Sequence, residues 1–98
     1  MTTDPAPRVR HFLDLSTSHL PHDTMQALAG LDNVVAHQTA YGALLWVPDD
    51  PTASAHTMDD PVPDEVLTVQ LYARSLGCDY VLFDRDAEVD DRLPTWPW

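Results

Sequence analysis

Alternation of apolar and polar residues marks four segments of the chain as β-strands. In the first, Val9 to Leu15, every second residue lies on the better core face, so His11 is expected to be a buried, hydrogen-bonded histidine beside Leu13. The other three segments are rich in β-branched, aromatic and leucine residues: Asn33 to Ala40, Ala43 to Val47, and Asp79 to Asp84. The segment from Ala43 is apolar on both faces, which predicts a central strand.

Apolar residues at three- and four-residue spacing predict two helices. The first spans Pro21 to Ala29, and the second begins at Pro63 and carries an apolar stripe to Leu76. Gly30 and Gly77 follow the two helices directly, where a left-handed glycine commonly ends a helix. Between the second and third strands, Tyr41-Gly42 predicts a tight hairpin with a positive φ at the glycine.

The element order β-α-β-β-α-β predicts an α+β fold of the ferredoxin-like type. In this plan a four-stranded antiparallel sheet carries both helices on one face, and the first and third strands are central. Ninety-eight residues suit a single domain, 1–98. Within it we expect a flexible N-terminus at 1–7, a long acidic, proline-rich loop at 48–63, and a tryptophan-containing tail at 93–98 that packs on the domain.

One face of such a sheet is left bare by the helices. The residues predicted to lie on it are apolar: Phe12, Leu44, Trp46, Tyr80 and Leu82. A contiguous patch of this kind is unfavourable in water, so we expect it to be covered either by the tail tryptophans, Trp96 and Trp98, or by a second copy. A face-to-face homodimer to which the tail contributes is the favoured arrangement.

Net charge decides which partners the chain can have. Sixteen acidic residues face five arginines, with no lysine, which gives a formal charge of −11. Direct binding of nucleic acid requires cations that neutralise phosphates and is therefore disfavoured, whereas a basic protein partner would be attracted. The acidic residues predicted to form the binding surface are Asp49, Asp50, Asp59, Asp60, Asp64, Glu65, Asp90 and Asp91.

The cellular setting follows from what the sequence lacks. No apolar run is long enough to span a membrane, and residues 1–8 show no signal-peptide pattern, so a soluble, cytoplasmic protein without a membrane partner is expected. Cys78 is the only cysteine and is expected to be a packed apolar residue rather than a nucleophile.

Three stretches of the chain resemble a known family: FLDLSTSHLP at 12–21, YARSLGCDYVLFDRD at 72–86 and LPTWPW at 93–98. They are similar to the small bacterial proteins grouped as domain of unknown function family 5983. The resemblance covers nearly the whole chain from His11 and supplies no catalytic residues. It implies a setting on plasmids, phages and other mobile genetic elements, beside antirestriction genes, and so favours an acidic inhibitor.

Residue types with chemical potential occur, but their spacing does not form a known site. Asp14, Ser18 and His19 are neighbours along one turn and do not form a convergent triad, so Ser18 is interpreted as a helix cap and His19 as a surface residue. His19 and His22 could hold a metal ion only with a further ligand such as Asp14 or Asp23, which is not favoured. We predict no catalytic residues, no metal and no cofactor.

The end of the last strand, Asp84-Arg85-Asp86, is predicted to lie beside the start of the first strand and to form ion pairs with Arg8 and Arg10.

Taken together, these patterns favour a non-enzymatic, acidic protein-interaction module. Its finer form is a nucleic-acid-mimicking inhibitor or accessory protein of mobile elements, of the antirestriction type. The alternative is a small-molecule-binding protein, or a small enzyme, that uses the open sheet face of a ferredoxin-like dimer, with Asp14, His19 and Asp84 nearby.

Overall fold

The computed structural model describes residues 9–55 and 61–98. In these ranges the strands are β1 (Phe12–Ser16), β2 (Ala36–Gln38), β3 (Gly42–Trp46) and β4 (Tyr80–Asp84). The α-helices are α1 (His22–Ala27), α2 (Pro51–Ala55) and α3 (Asp64–Ser75). Two short 3₁₀ turns flank α1, at Thr17–His19 and at Leu28–Gly30.

The helix α3 is the longest element and follows the predicted stripe as far as Ala73, whereas Leu76 is exposed. Its buried residues are Val66, Val69, Gln70 and Ala73. Gly77 has a φ of +77°, and the helix ends in a Schellman motif, in which Cys78 N–H donates to Ala73 at 2.9 Å and Gly77 N–H donates to Arg74 at 2.9 Å. The predicted glycine stop of this helix is confirmed.

The end of α1 differs from the prediction. Gly30 does not have a positive φ, because the chain leaves the helix through the 3₁₀ turn at its C-terminal end. In that turn Leu31 N–H donates to Leu28 O at 3.3 Å, so no left-handed residue is needed.

The sheet is mixed, in the order β1-β4-β3-β2, so the predicted antiparallel ferredoxin-like sheet is wrong. β1 pairs in parallel with β4, whereas the pairs β3–β4 and β2–β3 are antiparallel. Compared with the predicted plan, β4 takes the central place that was assigned to β1, and β1 lies at an edge.

The residues of the two strands explain this exchange. β4 fully buries Val81 and Phe83 on its core face and carries half-buried Tyr80 and Leu82 on the other face. A strand that is apolar on both faces is stabilised by a central place, with a neighbouring strand on each side. β1 carries the exposed Asp14 at its centre, and charged side chains are typical of edge strands.

One hydrophobic core joins the helices to one face of the sheet. It contains Leu15 of β1, Leu45 of β3 and Phe83 of β4, packed with the apolar sides of α1 and α3. The burial confirms the predicted core face of the first strand at Leu13 and Leu15, but not at Val9 and His11, which are exposed. His11 lies just before β1, where its carbonyl accepts from Asp79 N–H at 2.8 Å.

The hairpin between β2 and β3 is confirmed, but the reason for its glycine differs from the prediction. Thr39 N–H donates to Gly42 O at 3.0 Å, and the Thr39 hydroxyl accepts from Gly42 N–H at 3.1 Å. Gly42 does not have a positive φ. A Cβ at this position would instead collide with the carbonyl oxygen of Phe83 on the neighbouring strand β4.

The segment predicted as one long loop at 48–63 contains the short helix α2. Asp50 begins it: its side chain accepts from Ala53 N–H at 3.2 Å and its carbonyl from Ser54 N–H at 3.1 Å. This is ordinary aspartate N-capping, with Pro51 at the first helical position. The remainder of the predicted loop at 56–60 and the predicted flexible N-terminus lie outside the described residues.

Arg74 fastens the end of α3 to the sheet. Its guanidinium donates to Val47 O at 2.7 Å, to Pro48 O at 3.2 Å and to the Asp79 carboxylate at 3.1 Å. Asp79 also lies 3.8 Å from Arg10. The predicted pairing of Arg10 with Asp84 and Asp86 is therefore wrong, because β4 runs parallel to β1 and Asp84 lies at the opposite end of it, beside Ser16. Arg8, the other predicted partner, lies outside the described residues.

Within the two described ranges, no helix is long and apolar enough to cross a membrane.

The close approach of β3 to β4 yields a stability prediction. Gly42→Ala should lower the free energy of unfolding by about 2 kcal/mol or more, because the new methyl group collides with backbone rather than with a movable side chain. Gly30→Ala is the matched control, since a Cβ there has no neighbour within 4 Å, and its effect should stay within about 0.5 kcal/mol. Urea unfolding followed by circular dichroism measures both; equal effects would contradict the assigned contact.

Candidate functional site

The open side of the sheet is the first candidate site, here called the aromatic sheet face. The structure places all five residues predicted for it on this side: Phe12, Leu44, Trp46, Tyr80 and Leu82. Strand register sets Phe12, Tyr80 and Trp46 in one row across the sheet, and Val35 continues that row through the hydrogen bond from Trp46 N–H to Val35 O at 2.8 Å. Phe12 is 58% exposed and Val35 53% exposed.

A shallow apolar pocket of about 430 Å³ lies on one half of this face. It is lined by Val35, His37, Leu44, Trp46 and Tyr80. His37 is exposed and supplies the only imidazole of this lining. The pocket can take an apolar side chain or a small apolar ligand, but its lining does not bring together an acid, a base and a nucleophile.

The second candidate site is an acidic groove of about 380 Å³ beside β1. Its lining residues are Asp14, Leu15, Glu88, Val89, Asp90, Asp91 and Arg92. Asp14 and Leu15 come from the edge strand β1, and the others from the segment that follows β4. Sequence reasoning selected Asp90 and Asp91 but missed Glu88 and Asp14 as members of this surface, because the parallel pairing of β1 with β4 brings the two segments together.

Asp90 is held in place by a hydrogen-bond network. The Tyr72 hydroxyl donates to its Oδ2 at 2.6 Å, and Arg92 N–H donates to its Oδ1 at 3.0 Å. These two bonds stabilise the carboxylate and hold the pKa of Asp90 below its usual 3.8, so the groove keeps this negative charge at neutral pH. The same bond to Asp90 raises the pKa of Tyr72 above 10.0.

His19 is buried, at 1% exposure, so its interpretation as a surface residue is wrong. Its Nε2 accepts from Asp90 N–H at 2.9 Å, and its Nδ1 lies 2.9 Å from Pro94 O. Because a backbone N–H can only donate and a carbonyl can only accept, Nε2 is the acceptor and Nδ1 is the donor of the ring. His19 thus bridges the turn after β1 and the segment leading to the tail, and neither nitrogen is free for metal or catalysis.

Ser18 is not the helix cap that the sequence suggested. Ser16 caps the 3₁₀ turn instead, since its hydroxyl accepts from Ser18 N–H at 3.2 Å and lies 2.9 Å from the Ser18 hydroxyl. Among the described residues, no group of three or more histidine, cysteine or acidic side chains is arranged to hold a metal ion.

The tail lies against the start of α1. Leu93 is buried in the core, Trp96 N–H donates to Ser18 O at 2.9 Å, and the Trp98 indole donates to Leu20 O at 2.9 Å. The Trp98 ring meets His22 edge-on, with ring centres 4.8 Å apart. These contacts place the tail against the turn after β1. The tail therefore does not cover the exposed residues of the aromatic sheet face.

The eight acidic residues chosen from the sequence have different environments. Asp50 caps α2, Glu65 accepts from the Thr24 hydroxyl at 2.7 Å, and Asp90 is held as described above. Three others are exposed: Asp49, which lies 4.0 Å from Arg74, and Asp64 and Asp91. Asp59 and Asp60 lie outside the described residues.

Removal of the Tyr72 hydroxyl should produce a pH-dependent loss of stability. Because the pKa of Asp90 is lowered in the folded state, its contribution is present above the usual 3.8 and disappears as pH falls through the folded value. Tyr72→Phe should therefore be less stable than the parent at pH 7, with the difference shrinking toward pH 2. Urea unfolding across this range tests it, with the exposed Tyr41→Phe as control; a difference that is constant with pH would contradict the assignment.

Replacement of His19 tests its bridging role. His19→Phe keeps an aromatic ring but leaves Asp90 N–H and Pro94 O without their partner, and should cost about 2–4 kcal/mol. The exposed His11→Phe is the control and should cost less than about 0.5 kcal/mol. Faster amide exchange at residue 90 in the first variant alone would identify the broken bridge, whereas equal stability of both variants would refute it.

A family model matches the chain from the first residue of β1 through the tail. The family is described as Family of unknown function (DUF5983), C-terminal domain, and the match covers residues 12–98. No curated protein and no solved structure matches the chain. The match includes both candidate sites, His19 and the tail, and it confirms the resemblance seen in the three sequence stretches. The chain belongs to the DUF5983 family.

Proposed function

We propose that the chain is a non-enzymatic protein-interaction module whose acidic surface binds a basic protein. The observation that carries the proposal is an imbalance of exposed charge. In the described ranges only three arginines are exposed, Arg10, Arg85 and Arg92. The exposed acidic residues in the same ranges are Asp14, Asp23, Asp32, Asp49, Asp50, Asp64, Asp86, Glu88 and Asp91.

The arginines of the described ranges have local roles and do little to offset this field. Arg74 fastens α3 to the sheet, and Arg10 lies beside Asp79. Arg85 stacks over the Tyr41 ring at 5.5 Å, and Arg92 donates to the Tyr72 hydroxyl at 3.3 Å. A surplus of solvated carboxylates raises the local concentration of cationic partners and speeds their association.

The acidic groove is the part of this surface best shaped to bind a cationic side chain. Concave walls of one charge sign focus the field more strongly than a flat surface does. The lowered pKa of Asp90 keeps that carboxylate ionised, while Glu88 and Asp91 are exposed and able to meet a lysine or arginine. Arg92 also lines the groove, so a bound lysine or arginine is expected to contact Glu88 and Asp91 rather than the Arg92 side of the groove.

In the finer form of the proposal, the partner is a nucleic-acid-handling protein of a cytoplasmic defence system. Such proteins carry cationic clefts for phosphates, and carboxylates on a compact acidic domain can occupy them in place of nucleic acid. The family match supplies no function to support this form, so the support is the charge alone. Competition with duplex DNA for the captured partner tests it directly.

A small-molecule ligand is the second candidate function, favoured by the apolar pocket on the aromatic sheet face. For a small enzyme, however, His19 could not serve as a catalytic group, because both of its ring nitrogens form hydrogen bonds away from this pocket. Three residues of the pocket lining have a polar side-chain group that can form a hydrogen bond to a ligand: His37, Tyr80 and Trp46. This arrangement suits ligand binding better than acid–base catalysis.

The tagged chain should capture basic proteins from a bacterial lysate at low salt and release them near about 0.5 M salt, because screening weakens attraction between exposed charges. Glu88→Gln with Asp91→Asn removes two charges from the groove. Asp23→Asn with Asp32→Asn removes the same charge elsewhere and serves as the matched control. Greater loss of capture in the groove variant supports the proposal. Absence of capture at low salt, or capture that is indifferent to salt, would refute it.

A further inference from the structure

We propose that two copies of the chain associate through the aromatic sheet face, around a two-fold axis that runs parallel to the strands. β1 of each copy then lies over β2 of the other, and β4 lies over β3. This inference does not depend on the proposed function, because Asp14 is the one residue the contact shares with the groove lining, whereas the test of the groove changes Glu88 and Asp91.

The face has the composition of a protein contact surface. Its first row is Phe12, Tyr80, Trp46 and Val35, with no charged residue. Phe12 is 58% exposed, Val35 53% and Trp46 37%. Aromatic residues are enriched at protein interfaces and charged ones depleted at their centres, and exposed apolar patches mark such contacts.

The second row supplies the argument for a second copy as the occupant. Register places Asp14, Leu82, Leu44 and His37 side by side, so the two charged or ionisable residues lie at opposite ends of an apolar row. A two-fold axis parallel to the strands reverses this order in the second copy. Asp14 then faces His37 of the second copy at both ends, while Leu82 and Leu44 meet in the middle.

The pairing of Asp14 with His37 distinguishes this axis from the one perpendicular to it. A two-fold axis across the strands through the second row would place Asp14 directly on Asp14, and like charges at an interface are strongly unfavourable. The parallel axis also leaves room for the remaining acid of this face, since Asp84 lies in one row with Gly42 and would face Gly42 of the second copy. Two sheets stacked in this way keep their strands aligned, as in β-sandwiches.

Area and charge set the strength of the dimer. Three strands of five residues and β2 of three residues, about 4.8 Å apart, give a face of at most roughly 20 by 17 Å, which predicts a weak, concentration-dependent dimer. Each copy carries a charge of −11, so screening of their mutual repulsion should strengthen association as salt rises. Binding of a basic protein has the opposite salt dependence, and failure of one proposal is therefore distinguishable from failure of the other.

Sedimentation equilibrium from about 1 μM to about 1 mM protein measures the association, at low and high salt. The parent should dimerise more tightly at high salt. Trp46→Gln should abolish dimerisation, whereas Leu71→Gln, at a similarly exposed leucine on α3, should leave it unchanged. A parent that stays monomeric over the whole range would overturn the proposal and leave the face to another protein or a small ligand.

A charge exchange tests the axis itself. Asp14→Arg should weaken the dimer about tenfold or more, because it removes the carboxylate that His37 faces, and His37→Asp should do the same by placing a carboxylate opposite Asp14. The double variant places opposite charges face to face and should recover most of the parent's affinity. Absence of recovery, with both single variants folded by circular dichroism, would refute the parallel two-fold axis.

Discussion

The position of β4 between β1 and β3 is the constraint on which the rest of the structure depends. Val81 and Phe83 are fully buried under the helices, and the neighbouring strands hold β4 on both sides. Its parallel pairing with β1 brings the segment that follows β4 to the end of β1 where the chain turns into α1. The groove, the His19 bridge and the tail contacts all arise at this end of the sheet.

The same arrangement gives the protein two surfaces with different physical chemistry. The centre of the aromatic sheet face is apolar and poorly solvated by water, whereas the groove and the exposed carboxylates attract cations. Asp14 lies at the boundary, since it belongs to the open side of β1 and also lines the groove. A dimer through the sheet face would therefore bring two acidic grooves into one particle, each beside the interface.

Local patterns predicted the elements better than their order. Alternation of apolar and polar residues assigns each side chain to a face of its strand, and this assignment does not depend on which strand lies next to it. The sequence therefore placed Phe12 and Trp46 on the same side of the sheet, although the predicted strand order was wrong. The exchange of β1 with β4 depends on burial across the whole sheet. Neither the bridge of His19 nor the contact of Gly42 with Phe83 has a local signal, because both depend on partners more than 40 residues away.

The strand order can be tested directly by nuclear Overhauser effects between backbone protons in solution. The account predicts contacts between Leu13 and Val81 across a parallel β1–β4 pair, and between Leu45 and Val81 across an antiparallel β3–β4 pair. Contacts between Leu13 and the backbone of β3, with an antiparallel β1–β4 pair and no β3–β4 contacts, would restore the ferredoxin-like order. That result would contradict the groove, the row in which Asp14 aligns with His37, and the proposals built on them.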